Sequence, residues 1–204
     1  KYPFKTSKDI LQNIIDNSKI KTIVVNSKFV EKELKKAKVI GHGNPASPGA
    51  AVGEIVFTAE EAQKKLAKNK NIKMILVRAE TSPEDLGGMV ACNGILTARG
   101  GMTSHAAVVA RQIGKTCITG CGEAVINEEK GTMKLGGKEF KAGDVISING
   151  TTGEIYSTGI ETEEPSVTGN FEKVLKWADK YSDMNVLANA DTPEEATNAV
   201  RFGA

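Results

Sequence analysis

The stretch GILTARGGMTSHAAVVAR, Gly94 to Arg111, decides how this chain is read. Its first four residues, Gly94 to Thr97, form a short apolar run suited to a buried strand. The pair Gly100-Gly101 follows closely, and then two hydroxyl residues, Thr103 and Ser104, either of which can cap a helix running to Ile113 and stopping at Gly114. Strand, glycine turn and helix in that order gather free backbone N–H groups and the positive end of the helix dipole at the first turn, where His105 lies. Such a place favours anions, and a phosphoryl group carried on the imidazole would find its oxygens met by N–H donors. A glycine pair before a helix also serves simple tight packing, so this local pattern leaves both uses open.

Outward from this stretch the chain keeps alternating. Upstream, Glu54 to Thr58 reads as a strand, and Thr58 as the N-cap of a helix through Lys68 with Glu60 and Glu61 in its first turn. Met74 to Val77 is a short buried strand, and Ser82-Pro83-Glu84-Asp85 opens a short helix. Asn44 to Ala51, NPASPGAA, reads as a turn-heavy entry. Downstream, Thr116 to Thr119 is a strand, and Thr132 to Leu135, Lys138 to Phe140, Asp144 to Ile148 and Gly153 to Tyr156 are short β pieces joined by glycine turns. Residues 39–156 thus read as one α/β domain.

The flanks differ. Residues 1–38 are rich in Lys, Asn and Ile and are expected to be a linker or the tail of a preceding domain, with Ile10, Leu11, Ile14 and Ile15 at helical spacing and Thr22 to Val25 as a short strand. Residues 157–183 read as a linker: a polar stretch to Gly169, then a helix whose apolar face is Phe171, Val174, Leu175 and Ala178 and which ends near Tyr181. In residues 184–204, Asn185 to Ala190 is a strand and Asp191-Thr192-Pro193-Glu194 opens a helix. A lone β–α unit cannot bury both faces, so the expectation is a parallel sheet or barrel that continues beyond it, and a chain that is a piece of a longer protein.

Composition narrows the function classes. The 204 residues include 27 basic and 25 acidic ones, a net charge of +2 that exerts no strong pull toward nucleic acid or a membrane surface. No apolar run approaches the roughly 18 residues of a membrane span. Cys92, Cys117 and Cys121 show no CxxC spacing and read as buried small hydrophobes with free thiols, which suggests a reducing, cytoplasmic setting, with an organelle still open. His42, between two glycines, reads as a structural loop residue. Asn149-Gly150-Thr151 has the spacing of a glycosylation sequon, but Asn-Gly between β pieces is first of all a turn.

Three separated motifs carry a resemblance. GGMTSHAAVVAR, Gly100 to Arg111, resembles the phosphohistidine motif of the pyruvate, phosphate dikinase family of phosphoenolpyruvate (PEP)-utilising enzymes. PASPGAA, Pro45 to Ala51, and VRAETSPEDLGGM, Val77 to Met89, resemble the same family in the same order, and NADTP, Asn189 to Pro193, is similar to the opening of its C-terminal barrel. The resemblance implies a swivelling β/β/α phosphohistidine domain flanked by linker helices and the first β–α unit of a (β/α)8 barrel. It places this domain between an N-terminal ATP-binding domain and a C-terminal PEP/pyruvate barrel of one protein, a homodimer when whole. Mg2+ and a monovalent cation, K+ or NH4+, go with the whole enzyme, with none expected on this segment, and no nucleic acid or membrane partner is implied.

The same resemblance makes His105 the residue that is phosphorylated, through Nε2, with Gly100, Gly101, Thr103 and Ser104 around the phosphate, and marks Thr103 as a candidate for regulatory phosphorylation. Met102 sets GGM-T apart from the GGR-T of relatives that phosphorylate a sugar-transport histidine and of the synthases that use water. Arg99 is a candidate charge-assisted donor to phosphate oxygens, or else a surface arginine. Glu84 and Asp85 are possible supporting residues that orient a magnesium phosphate or a partner-domain interface, or else acids answering the dipole of their own helix. The expected role is a phosphocarrier; the alternatives are the same domain in a related PEP synthase and a catalytically silent binding module.

Overall fold

Residues whose apolar side chains run without interruption, Met74-Ile75-Leu76-Val77 and Gly94-Ile95-Leu96, are buried on both sides of their strands, as strands in the middle layer of a fold must be. The computed structural model describes residues 27–163, the helix Asn170–Tyr181 and isolated positions between 193 and 200. Contacts divide the chain into two units, one from Asn26 to Glu164 and the other comprising Lys1–Val25 and Pro165–Ala204. The expected helix and strand before residue 26 and the expected strand at 185–190 lie outside the described residues.

The Asn26–Glu164 unit is built on an eight-stranded mixed sheet. Four parallel strands form its centre: β4 (Ala50–Val56), β5 (Met74–Arg78), β6 (Gly94–Thr97) and β7 (Thr116–Thr119). On one side β11 (Val145–Asn149), β12 (Glu154–Tyr156) and β2 (Val39–His42) continue the sheet antiparallel. On the other, β3 (Asn44–Ser47) pairs antiparallel with β7 and closes the edge. A separate three-stranded sheet joins β8 (Val125–Asn127), β9 (Thr132–Leu135) and β10 (Lys138–Lys141).

The alternation of side chains along each strand divides the core in two. Ile55, Ile75, Val77, Leu96 and Ile118 pack with Met133, Leu135 and Phe140 of the small sheet. Val56, Met74, Leu76, Ile95 and Cys117 face Ala62, Met89, Ala106, Ala107 and Ala110 of the helices. The result is a β/β/α stack, a mixed α/β fold in which the helices Ala59–Lys68, Leu86–Ala91 and His105–Gln112 form the third layer. Local chemistry starts them as the sequence indicates: Thr58 Oγ1 accepts from the Glu61 amide at 3.1 Å, and Pro83 opens a 3-10 turn, Pro83–Asp85, that runs into the Leu86 helix.

The structure differs from the sequence reading at the edges. Asn44 to Ala51 is two strands meeting at a bend rather than a turn-heavy entry, because Pro45 stands on an edge strand where its missing N–H costs no ladder bond. The strand expected from Glu54 begins at Ala50. The compact unit is also wider than residues 39–156. β1 (Lys28–Phe29) pairs with β13 (Thr162–Glu163), Phe29 is buried edge-on against the Tyr156 ring, and Ile160 is buried beside them. The helix expected over Phe171 to Tyr181 forms as Asn170–Tyr181.

Candidate functional site

β6 ends at Thr97, and the turn that follows is held from below: Thr97 Oγ1 donates to the Arg99 carbonyl at 2.7 Å, and the Arg99 amide donates to Ala79 O at 2.8 Å. Gly100 has a φ of +102°, and a Cβ there would lie 2.9 Å from that of Ser104, so the turn needs glycine at this position. At Gly101 an added Cβ meets no protein atom within 4 Å. Ser104, not Thr103, is the N-cap; its Oγ accepts from the Ala107 amide at 3.4 Å. No acceptor among the described residues takes the amides of His105 and Ala106, which leaves them to an external oxygen. Arg111, from the last turn, donates to the carbonyls of Ala107 and Met102 and so ties the helix back onto its entry loop.

His105 is half-buried at the first position of this helix, and its Nδ1 lies 3.1 Å from Thr81 Oγ1. One ring nitrogen is therefore engaged by the protein, and Nε2 remains for chemistry. Thr81 was not singled out by its sequence context; it stands on the loop after β5, 24 residues from the histidine. Thr103 is exposed beside the site, as is Arg99, whose guanidinium has no ion-pair partner among the described residues.

The two acids part company. Glu84 is exposed, whereas Asp85 is buried, with one carboxylate oxygen 3.4 Å from Arg78 Nε and the other accepting from the Ser82 amide at 2.9 Å. Arg78 Nη1 also lies 2.8 Å from Glu128 and donates to the Phe57 carbonyl at 3.1 Å. Asp85 is thus occupied in holding the loop that carries Thr81.

The remaining candidates are structural. His42 is an exposed residue at the end of β2, opposite Glu154. Burial pushes the Cys92 and Cys117 thiols up to about 12 and raises that of Cys121; all three are free. Asn149 Oδ1 accepts from the Thr151 and Thr152 amides, so the sequon is a turn. A cleft of about 200 Å3 lined by Lys73, Asn93, Lys115 and Thr116 opens where β5, β6 and β7 begin, the opposite end of the sheet from His105. No described helix is long and apolar enough to cross a membrane.

Residues 71–153, which hold Thr81, Asp85 and His105, match the family model of the mobile domain of PEP-utilising enzymes. Over 171 residues the chain is 58% identical to the pyruvate, phosphate dikinase of Clostridium symbiosum, an alignment spanning 84% of this chain and 19% of that one. It is 48% identical over 181 residues to the chloroplastic pyruvate, phosphate dikinase of Mesembryanthemum crystallinum, covering 89% and 19%, and 51% identical over 169 residues to that of Giardia intestinalis, covering 83% and 19%. Over most of its length the chain is thus similar to one segment of the pyruvate, phosphate dikinases, and it spans about a fifth of the length of these relatives.

Proposed function

We propose that this chain is the phosphocarrier segment of a dikinase that interconverts ATP, phosphate and pyruvate with AMP, pyrophosphate and PEP. The observation that carries the reading is His105 opening a helix whose first two amides are free, with Nδ1 held and Nε2 available. On the PEP side, the Nε2 lone pair attacks phosphorus, the N–P bond forms, and the P–O bond breaks with its electron pair leaving on the enolate oxygen of pyruvate. The three phosphoryl oxygens then face the free amides, the dipole of the helix and the Arg99 guanidinium.

In this reading the ATP-binding domain and the PEP/pyruvate barrel are further parts of the same homodimeric protein. The unit Asn26–Glu164, with residues 39–156 as its core, is the mobile domain in this reading, the segments on either side of that unit connect it, and 184–204 begin the barrel. Apolar side chains left exposed on the two helices nearest the site and their loop, Leu86, Val90, Met102 and Val108, suit a surface that docks against those domains in turn. Mg2+ and the monovalent cation go with the whole enzyme in this reading. The working compartment in this reading is the cytoplasm, with an organelle as the alternative.

The test is phosphorylation of the chain joined to its missing domains by labelled PEP. An acid-labile, base-stable label that His105→Ala abolishes is expected. Label retained by His105→Ala overturns the assignment.

A further inference from the structure

A neutral imidazole has one N–H and one lone pair, and only the nitrogen with the lone pair can attack phosphorus. A hydroxyl beside Nδ1 can either donate to it, which puts the proton on Nε2 and silences that nitrogen, or accept from it, which leaves Nε2 bare. Thr81 Oγ1 is placed to do one or the other at 3.1 Å. The choice is therefore a functional one.

The loop bearing Thr81 is braced on both sides. Ahead of it, the Ala79 amide donates to Glu128 Oε1 at 2.9 Å, and Ala79 O accepts from the Arg99 amide at 2.8 Å. Behind it, the Ser82 amide and hydroxyl both donate to Asp85 Oδ2, at 2.9 and 3.3 Å. Arg78 links the two braces, with Asp85 on one nitrogen and Glu128 on another. Asp85, Arg78 and Glu128 come from three different segments, and what they enclose is the four-residue run from Ala79 to Ser82.

We propose that Thr81, held in place by the Asp85–Arg78–Glu128 ion-pair chain, is the positioning residue that accepts a hydrogen bond from the Nδ1–H of His105 and thereby fixes Nε2 as the phosphoryl acceptor. The step balances without a base. The Nε2–P bond forms, the donor P–O bond breaks with its electron pair going to the donor oxygen, and the Nδ1 proton stays on the ring, where Thr81 Oγ1 stabilises the positive charge that the ring acquires. The proposal rests on His105 being the phosphoryl acceptor, and its test is chosen to stand apart from that assignment.

The chain contains only two histidines, His42 and His105, so the tautomer of each is readable by 15N NMR of the imidazole rings in the unphosphorylated full chain at a pH where both are neutral. The expected result is a predominant Nδ1–H form at His105 and the ordinary Nε2–H preference at exposed His42. Thr81→Val should return His105 to the Nε2–H form, Thr81→Ser should keep the Nδ1–H form, and Glu128→Gln should raise the Nε2–H share at His105 although Thr81 is intact. In the whole enzyme, Thr81→Val should slow labelling of His105 by about tenfold, the scale of one lost hydrogen bond, with Thr81→Ser restoring it. An Nε2–H form at His105 in the wild type, or an unchanged tautomer in Thr81→Val, overturns the proposal. Failure of His105 to take label at all would instead overturn the function while leaving the tautomer result to decide the role of Thr81.

Discussion

Gly100 and Gly101 are neighbours with separable duties. Gly100 has a left-handed φ and a close approach to Ser104, so Gly100→Val should cost about 1–3 kcal/mol in urea unfolding. Gly101 has neither constraint, and the only thing a side chain there can obstruct is what lies outside the protein. Gly101→Val should therefore unfold at nearly the same urea concentration as the wild type yet take up phosphoryl label poorly; full labelling would mean that both glycines serve packing alone. Thr103 is exposed one residue before the cap, which separates it from folding in the same way. A carboxylate there competes for the free amides of the helix start, so Thr103→Asp should block labelling of His105 while Thr103→Ser keeps it. An Asp variant that labels at the wild-type rate would remove Thr103 as a control point.

At the scale of elements, stability and chemistry meet in the strut under the Thr81 loop. Asp85→Ala removes the partner of Arg78 Nε and of the Ser82 amide while Glu128 still balances the guanidinium, and should cost about 1–3 kcal/mol by urea denaturation. The helix layer also contains Cys92 and Cys117, whose thiols sit at about 12 because burial disfavours the thiolate. Free thiols ionise near 8.5, so their contribution to stability is whole below that pH and falls as the pH rises beyond it toward 12. Iodoacetamide at pH 8 should leave both unmodified until the protein is unfolded. These elements also show what a sequence discloses. The cap at Thr58, a cap at Thr103 or Ser104 and a helical start at Pro83 were legible because their partners lie within three residues. Thr81 and Glu128 were not, because their roles arise from contacts 24 and 49 residues apart, one made by the parallel pairing of β5 with β6 and the other by the packing of the small sheet on the large one. Asp85 was legible as an acid at a helix start but not as the partner of Arg78, since nothing local says which way a buried carboxylate points.

For the whole molecule, the β1–β13 ribbon extends the folded unit beyond the residues that the sequence marks as its core. Residues read from sequence as tether are tied into the folded unit: Lys28 pairs with Glu163 at 3.3 Å, the Val30 amide donates to Glu161 O at 3.0 Å, and the Glu161 amide donates to Glu33 at 2.7 Å. Ser27 and Thr162 line the cleft where the parallel strands begin, so the incoming and outgoing chains leave side by side at the end of the sheet away from His105. The five residues of β5 alone put about 16 Å between those ends. In the proposed reaction one imidazole must visit an ATP site and a pyruvate site on separate domains, and in that proposal a swing of this unit would have the length of the sheet as its lever arm. The three native cysteines are buried, so a single engineered surface cysteine on this unit and one on the barrel can be joined selectively in the full-length enzyme. With the two crosslinked, the pyruvate-side partial reaction should continue and the ATP-side partial reaction should stop. Both half-reactions surviving the crosslink would show that His105 reaches its two sites without a swing, and the paired exit of the chain would then be an anchor rather than a hinge.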